Sequence, residues 1–403
     1  MNSSVFSFIP PSLKPAEENA LRIVLQPGMS CRGWPATAGS KALENFTAVE
    51  DAHITGLLKK TSAVLTGTSY MSEMGFGLKN DTASQILVQE LADAAIITDN
   101  MGEARYAAAC TGLTGFKPSY GIVSRAGLIG LIPSMECPAI VARHISDIQY
   151  LMNAICVHDD RDFSMHSPPL PDFSDSLSRR PAAKTIGVPE GYENSLSKAE
   201  ITAWEKALSA LEQTGCRIRF ITMPEPALFS AVHNIIGSVE ASSSTGKYDG
   251  VRYGHRTKTA ENWNEMYLKT RGEAFGSFIK SYIFQGACFQ FQKYHAFENA
   301  CRMRGHLLDR TLAALETVDA LASLTRRKTP DAFHTSTIKD TYEAFSLTLP
   351  ANVTGLPAVQ LPGLSLCQDK DFGLQLTGKP LGDPALLGIA HHLESISQGE
   401  PAS

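Results

Sequence analysis

The sequence lacks the residue spacings that mark metal and redox sites. Its eight cysteines never stand as C-x-x-C, and none of its eleven histidines belongs to an H-E-x-x-H pair. Structural zinc, thioredoxin-like redox chemistry and zinc-protease chemistry are therefore not indicated. In a long chain, cysteines scattered in this way predict small buried side chains in a reducing compartment.

It also lacks any surplus of positive charge and any long apolar run. The 403 residues carry a net charge of -5, so electrostatics alone give no reason to expect this chain to bind nucleic acid. No stretch reaches the ~18 consecutive apolar residues of a membrane span. The first twenty residues have no basic segment leading into an apolar run, as a signal peptide would. We expect a cytoplasmic protein that does not associate with membranes.

Strand and helix patterns alternate along the chain, which is typical of an α/β protein. The clearest unit begins with a strand at 184–188 and ends with a second strand at 216–222. Between them, Ser197 and Glu200 have the spacing of a capping box, and apolar residues then recur at helical spacing up to Gly215. The pattern predicts a βαβ unit.

Other segments give shorter predictions. Residues 51–60 and 87–95 are predicted as helices, the second leading directly into Ile96 and Ile97, and residues 63–66 as a buried strand. The segment 163–181 is rich in Ser, Pro and Asp, which indicates a surface connection. A helix-prone stretch covers about 260–324, where core packing is the expected role of the residues at helical spacing, which are Phe284, Cys288, Phe291 and His295.

Six phrases in order resemble the amidase-signature family, and in particular the A subunit of its glutamyl-tRNA(Gln) amidotransferase branch. They are GSKALENF at 39–46, GLTGFKPSYGIVSRAGL at 112–128, EASS at 240–243 with YDGVRYG at 248–254, RGEAFG at 271–276, PANVTGLP at 350–357 and GLQLTGKP at 373–380. The YDGVRYG phrase is the one that points to the amidotransferase branch. One such match could be chance, but six in register across most of the chain are not.

The resemblance implies one amidase-signature domain over residues 1–403, with a mixed, twisted β-sheet covered by helices on both faces. It implies a component of an ATP-dependent C–N ligase complex that forms Gln-tRNA(Gln) from Glu-tRNA(Gln). B-type and C-type subunits are the implied partners, and tRNA is reached only through the complex. This chain needs no cofactor of its own, since ATP and Mg²⁺ are used by the B-type partner.

The family hydrolyses amides with a serine nucleophile, a bridging serine and a lysine, and each of these roles is changed here. Gln26, in VLQPG, stands at the lysine position. Glu103, in ITDNMGEAR, stands at the position of the nucleophile. The glycine- and serine-rich loop that carries the bridging serine is missing, because the segment 80–95 is too short and has no glycine. An amide takes up no proton near neutral pH and a carboxylate offers no hydroxyl, so no member of the triad is intact.

The substrate pocket implied by the family is altered as well. Phe345 stands where a carboxylate would bind the substrate's amino group, and His255 is a candidate for an expected tyrosine near Tyr253. Arg304 is either a relict of the arginine that holds the substrate carboxylate or an ordinary surface arginine, and the second interpretation is favoured.

Residues close to Glu103 in the sequence are expected to have structural roles. Asp99 and Arg105 are expected to cap and pair the turn that once held the nucleophile. Glu103 has no partner group in view that would make it a base. Cys110, beside apolar Ala107 to Ala109, is expected to be a buried, inert thiol.

Two functional hypotheses follow. In the first, the chain is a scaffold that keeps the amidase fold and its partners but produces no ammonia. In the alternative, it is an active glutamine-hydrolysing component, or an amidase, with a rewired site. A third explanation is that the chain is the product of a decayed duplicate of the A-subunit gene and has no role. Whether the chain is an enzyme therefore stays open at this point.

Overall fold

The computed structural model of the protein describes residues 4–12, 20–178, 184–252, 254–362 and 372–397. The strands of these residues are β1 (Phe6–Phe8), β2 (Arg22–Leu25), β3 (Val64–Ser69), β4 (Ala94–Asp99), β5 (Thr114–Lys117), β6 (Cys137–Ala142), β7 (Thr185–Pro189), β8 (Arg217–Ile221), β9 (Ala320–Leu324), β10 (Ala358–Leu361) and β11 (Leu374–Thr377). The α-helices are α1 (His53–Leu58), α2 (Ala83–Val88), α3 (Glu103–Thr111), α4 (Ile145–Ile155), α5 (Lys198–Gln213), α6 (Pro226–Ser244), α7 (Trp263–Ala274), α8 (Ser277–Phe291), α9 (Tyr294–Glu316), α10 (Ile338–Ala344), α11 (Leu349–Thr354) and α12 (Asp383–Ser397).

The strands form one mixed sheet in the order β1-β3-β2-β4-β6-β5-β10-β11-β9-β7-β8. Strand β2 runs parallel to β3 and β4, and β7 runs parallel to β8 and β9. The strands between these two groups pair antiparallel, from β4 through β6, β5, β10 and β11 to β9. The α/β fold with a mixed sheet is therefore confirmed.

Both faces of the sheet are buried, and β4 shows this residue by residue. Ala94 and Ile96 belong to the apolar cluster that includes residues of α4 and α12. Ala95 and Ile97 point the other way, into the cluster that includes Ile86 of α2. All six residues of β4 are buried. A strand covered by helices on both faces has an apolar run without alternation, as this one does.

The predicted βαβ unit is confirmed. β7 and β8 pair in parallel, and α5 connects them. The Ser197 side chain accepts a hydrogen bond from the Glu200 amide while the Glu200 carboxylate accepts one from the Ser197 amide, so the capping box is complete. The short helix predicted at 51–60 and the strand predicted at 63–66 correspond to α1 and β3.

The helix predicted at 87–95 is wrong. Helix α2 covers Ala83–Val88, the chain then turns at Glu90 with a positive φ of 59°, and Ala94 already belongs to β4. The error has a simple cause, because a short apolar run that is buried on both sides has the same appearance in a helix and in a strand.

The stretch 260–324 contains three helices followed by a strand, and the role predicted for its aromatic residues is wrong. Phe284 and Phe291 are 70% and 78% exposed, and Cys288 is exposed on the same face of α8. The buried face of α8 carries Ile279 and Tyr282 instead. Helical spacing correctly placed Phe284, Cys288 and Phe291 on one face, but His295 lies on the next helix, α9, and spacing alone does not tell which face meets the core.

The segment predicted as a surface connection is mostly exposed as far as it is described, to residue 178, but Phe173 is buried in the core. Phe163 is 99% exposed there. Among the helices of the described ranges, none has the length and hydropathy needed to cross a membrane.

We predict that Ser197→Ala lowers the free energy of unfolding by ~1 kcal/mol. The reason is that the Glu200 amide, in the first turn of α5, loses its hydrogen-bond acceptor. Urea unfolding followed by circular dichroism measures this. Ser209→Ala is the matched control, because Ser209 is exposed in the middle of the same helix, and its effect is expected within ~0.5 kcal/mol. Equal effects of the two substitutions would contradict the role given to the cap.

Candidate functional site

The site aligned with the family's nucleophile lies where β4 ends and α3 begins. Glu103 is the first residue of α3, and its side chain folds back over the preceding turn. One carboxylate oxygen, Oε2, accepts hydrogen bonds from the amides of Asn100 (2.7 Å), Met101 (2.7 Å) and Gly102 (3.1 Å). The other, Oε1, accepts from the amide of Gly77 at 3.0 Å. The Glu103 side chain thus gathers four backbone N–H groups onto one carboxylate.

Four converging backbone amides at a helix N-terminus make an anion-binding site. In acyl-transfer enzymes such donors stabilise the oxyanion of the tetrahedral intermediate. Here the acceptor is supplied by the chain itself, and Glu103 is only 1% exposed. A carbonyl oxygen of a substrate could reach these donors only after the Glu103 side chain had left.

Backbone geometry holds this turn in place. Gly102 has a φ of 112°, and a Cβ atom built there would lie 2.2 Å from the Cβ of Thr348. The hydroxyl of Thr348 donates a hydrogen bond to the carbonyl of Met101 at 2.6 Å. The residue before Glu103 is therefore restricted to glycine by conformation and by space.

Burial and the negative charge of Asp99 raise the pKa of the Glu103 carboxyl to about 8, although the amide donors act in the opposite direction. Both causes disfavour the ionised form, since there is little water to solvate it and a second carboxylate lies close by. A carboxyl group with this pKa can exchange its proton near neutral pH, but general acid–base catalysis also needs contact between that group and a substrate. The buried position of Glu103 provides no such contact.

Gln26 follows β2 and is also buried. Its Oε1 accepts a hydrogen bond from the Thr98 amide at 2.8 Å, and its Nε2 donates one to Asp81 Oδ2 at 2.5 Å. Asp81 in turn accepts from the Ala83 amide at the start of α2, and burial raises its pKa to about 6. Gln26 thus ties β2, β4 and the shortened 80–95 segment together, and both ends of its amide are occupied.

Asp99 and Arg105 have the structural roles that the sequence predicts. Asp99 accepts from the Ala104 amide at 3.2 Å, which caps α3, and it pairs with Arg105 at 3.4 Å. Arg105 also donates to Asn352 (2.5 Å) and Gln375 (2.6 Å). The Arg105 side chain is fully buried, so these bonds join α3 to α11 and β11 in the interior.

Aromatic side chains pack densely over the same turn. Phe345, at the position of the expected carboxylate, is fully buried and lies 5.1 Å from the Tyr106 ring. Phe76 stacks on Tyr282 with ring centroids 4.5 Å apart, and the Tyr282 hydroxyl lies 2.7 Å from that of Tyr342. These rings form part of a buried apolar cluster around Phe345.

The sequence did not reveal a buried histidine beside the turn. His233 Nε2 lies 2.9 Å from the Asn100 carbonyl oxygen, and Nδ1 lies 2.8 Å from the Tyr342 hydroxyl. Burial lowers the pKa of His233 to about 3, so it is neutral and serves as a fixed hydrogen-bonding group. A single histidine on α6 has no spacing signal that could have identified it.

Arg304 points inward from α9, which makes the surface-arginine interpretation wrong. It donates to the Val353 carbonyl (2.8 Å), to Ser134 Oγ (2.9 Å) and to the Ser134 carbonyl (2.8 Å). These bonds occupy its guanidinium, and they connect α9 to α11 and to the loop before β6.

His255 and Cys110 are not brought to the Glu103 carboxylate. His255 contacts Glu44 and Glu273, and the neighbouring Tyr253 is outside the described residues.

Cys110 is two helical turns further along α3. It is half-buried, and Arg326 Nη1 donates to its Sγ at 2.6 Å, so the thiol has a charged neighbour that its apolar sequence context did not indicate. Within the described ranges no three His, Cys, Asp or Glu side chains converge as a metal site.

Comparison with known proteins gives a consistent result. Residues 23–85 and 84–387 match the model of the protein family described as Amidase. The chain is 30% identical over 394 residues to the A subunit of the glutamyl-tRNA(Gln) amidotransferase of Nitrosococcus oceani, an alignment that covers 91% of this chain and 81% of the relative. It is 30% identical over 400 residues to the protein of the same name from Dehalococcoides mccartyi, with 92% and 82% covered.

Solved structures share the fold. The A subunit of the glutamyl-tRNA(Gln) amidotransferase of Thermotoga maritima superposes with a TM-score of 0.78 at 22% identity, covering 97% of this chain and 87% of that one. The native peptide amidase of Stenotrophomonas maltophilia gives a TM-score of 0.75 at 20% identity, with 94% and 82% covered. At these identities the likeness concerns the fold alone.

The raised pKa of Glu103 predicts a specific dependence of stability on pH. The folded chain binds this proton more tightly than the unfolded chain, in which the pKa returns towards 4.5. The stabilisation is therefore present at low pH and is lost as the pH rises through about 8, by on the order of a few kcal/mol. Urea unfolding of the wild type and of Glu103→Gln at several pH values measures the difference.

The control for this prediction is Glu316→Gln, which removes a carboxylate from the exposed end of α9. Its unfolding free energy is expected to follow the wild type at every pH. If the profile of Glu103→Gln also ran parallel to the wild type, the titration assigned to Glu103 would be excluded.

Proposed function

The chain belongs to the amidase family, and we propose that it is an A-subunit-like component of a tRNA-dependent amidotransferase that has lost its own glutaminase activity and acts as a scaffold. In this role it would take part in forming Gln-tRNA(Gln) from Glu-tRNA(Gln). The single observation that carries the proposal is the Glu103 carboxylate on four backbone amides, three from the turn before α3 and one from Gly77.

The amidotransferase part of the proposal is supported by the relatives. Those from Nitrosococcus oceani and Dehalococcoides mccartyi are named as A subunits of glutamyl-tRNA(Gln) amidotransferase, and each aligns with more than nine tenths of this chain. The phrase at 248–254 resembles the same branch. Elements that carry the other phrases, such as β5 in 112–128 and α11 in 350–357, lie in the core of the fold.

The loss of glutaminase activity is supported by the chemistry of positions 26 and 103. Hydrolysis of a carboxamide needs a nucleophile, a base that accepts its proton, and donors for the oxyanion. At position 103 a carboxylate replaces the hydroxyl and occupies the donors, while the amide of Gln26 has no basic nitrogen. Removing one member of a cooperative catalytic unit typically costs about 10⁴-fold or more in rate. Here two members are replaced and the donors are filled.

A scaffold without glutaminase activity can still support an amidotransferase. We propose that the chain binds B-type and C-type subunits, and that the B-type partner activates Glu-tRNA(Gln) with ATP and Mg²⁺. Ammonia for amidation would then come from free ammonium rather than from glutamine hydrolysed by this chain. On this proposal the protein is a pseudoenzyme within a ligase complex.

The test is to purify this chain together with the B-type and C-type subunits of its own organism and to measure Gln-tRNA(Gln) formation. We expect co-elution, product formation with ammonium chloride, and no product with glutamine as the only nitrogen source. The complex of Nitrosococcus oceani is the control and is expected to use both nitrogen sources.

Two results would contradict the proposal in different ways. Failure of the three chains to co-elute at micromolar concentration would exclude the scaffold. Release of glutamate from glutamine by the pure complex, above the rate in buffer, would exclude the loss of activity.

One contact favours the alternative of a rewired glutaminase. The Arg326 guanidinium lies 2.6 Å from Cys110 Sγ, and a neighbouring cation stabilises a thiolate. The sulfur would attack the carboxamide carbon, ammonia would leave with a proton from solvent, and water would hydrolyse the resulting thioester. Glutamate release that is abolished by Cys110→Ala but retained in Cys216→Ala, a second half-buried cysteine, would establish this alternative. Absence of glutamate release in the wild type excludes it.

A further inference from the structure

A large groove lies apart from the Glu103 site, between the residues around Lys41–Leu43 and α7. It encloses a cavity of about 790 Å³ whose walls come from Lys41 and residues 44–47, from Arg252 and residues 254–259, and from Glu273 of α7. This volume is within the range of small-molecule binding sites. The scaffold role proposed above assigns nothing to this groove.

Four cations line the cavity, namely Lys41, Arg252, Arg256 and Lys258. All four are exposed, and none forms an ion pair with a residue of the described ranges. The four cations converge on one open groove, although the charge of Lys41 also acts on Glu273.

The two carboxylates of the cavity are already occupied. His255 Nδ1 lies 2.8 Å from Glu44 Oε1, and His255 Nε2 lies 2.6 Å from Glu273 Oε2. The hydroxyl of Thr257 also donates to Glu273, at 2.9 Å. Four cations against two carboxylates give the lining of the groove a net positive charge.

An aromatic surface continues the groove. The Arg256 guanidinium stands 5.5 Å from the centre of the Trp263 ring, and Trp263 is 61% exposed. Arg256 and Lys258 also line a second depression, of about 310 Å³, which contains Trp263 and Glu261. Lys269 donates to the Thr259 carbonyl at 3.0 Å and so ties the loop to α7. The groove therefore lies beside a second depression that contains an exposed indole, and Arg256 and Lys258 line both.

We propose that this groove binds a nucleotide phosphate, either of a free nucleotide or of the end of an RNA strand. Arginine and lysine bind phosphate oxygens, and aromatic side chains and arginine planes stack on bases. The proposal goes beyond the scaffold role, in which RNA is reached only through the partner subunits. A small carboxylate ligand would use one or two of the four cations and would leave Trp263 without a role.

The experiment uses the full chain and two fluorescent probes at low salt, a labelled adenosine nucleotide and a short labelled single-stranded RNA. We expect saturable binding of at least one of them. Arg252→Ala and Lys258→Ala are each expected to weaken it about tenfold and to reduce its salt dependence, since each removes a phosphate contact. Trp263→Ala is expected to weaken it by about tenfold as well, because the base loses its stacking surface.

Lys206→Ala is the matched control, since it removes an exposed cation from α5, which packs on edge strand β8. It is expected to bind as the wild type does. Thermal unfolding of every variant separates loss of binding from loss of fold, and Arg252→Lys, which keeps the charge, is expected to retain most of the affinity.

The two probes distinguish the source of the phosphate. Binding of the nucleotide alone assigns the groove to a free nucleotide, and tighter binding of the RNA assigns it to an RNA end. The proposal is overturned if neither probe binds at millimolar concentration, if the groove variants bind as Lys206→Ala does, or if citrate or glutamate displaces the probes as well as inorganic phosphate does. None of these results depends on whether the chain assembles with B-type and C-type subunits.

Discussion

This site depends on the hydrogen bonds that the Glu103 side chain accepts from backbone amides, three of them in the turn that precedes it. A carboxylate buried in this way is costly unless polar groups replace its water, and the amides of Gly77, Asn100, Met101 and Gly102 do so. The amides are equally in need of an acceptor, because buried backbone N–H groups without a partner are costly. The same contact that stabilises the turn thus removes its capacity to hold the oxyanion of a substrate.

The surrounding residues are consistent with a catalytic turn that has become a structural junction. Arg105 is fully buried and joins α3 to Asn352 and Gln375, while Gln26 fastens β2 to β4 and to Asp81. Each of these side chains has hydrogen-bond partners inside the protein, which is the condition for a buried network to stabilise a fold. The proposed loss of the family's chemistry is therefore compatible with the amidase fold, because the fold needs partners for these groups and not a free nucleophile.

The sequence predicted the parts of the molecule that rest on local rules. The capping box at Ser197 and the βαβ unit around it were predicted from the residues, and the mixed sheet was implied by the resemblance to the amidase-signature family. The roles of Asp99 and Arg105 followed from their places beside a turn. The face of α8 that meets the core was not predictable, since the spacing of Phe284 and Phe291 is the same whether their face is buried or exposed. Net charge was likewise uninformative about the cationic groove, because a sum over the chain hides a local excess.

The most direct test of the central claim is to follow the backbone amides of Gly77, Asn100, Met101 and Gly102 by nuclear magnetic resonance as the pH is raised. If all four donate to the Glu103 carboxyl, their amide proton shifts will change together with one midpoint near the pKa of about 8, and the change will be absent in Glu103→Gln. Amide shifts that do not titrate, or that titrate identically in the Gln variant, would show that Glu103 does not occupy these donors.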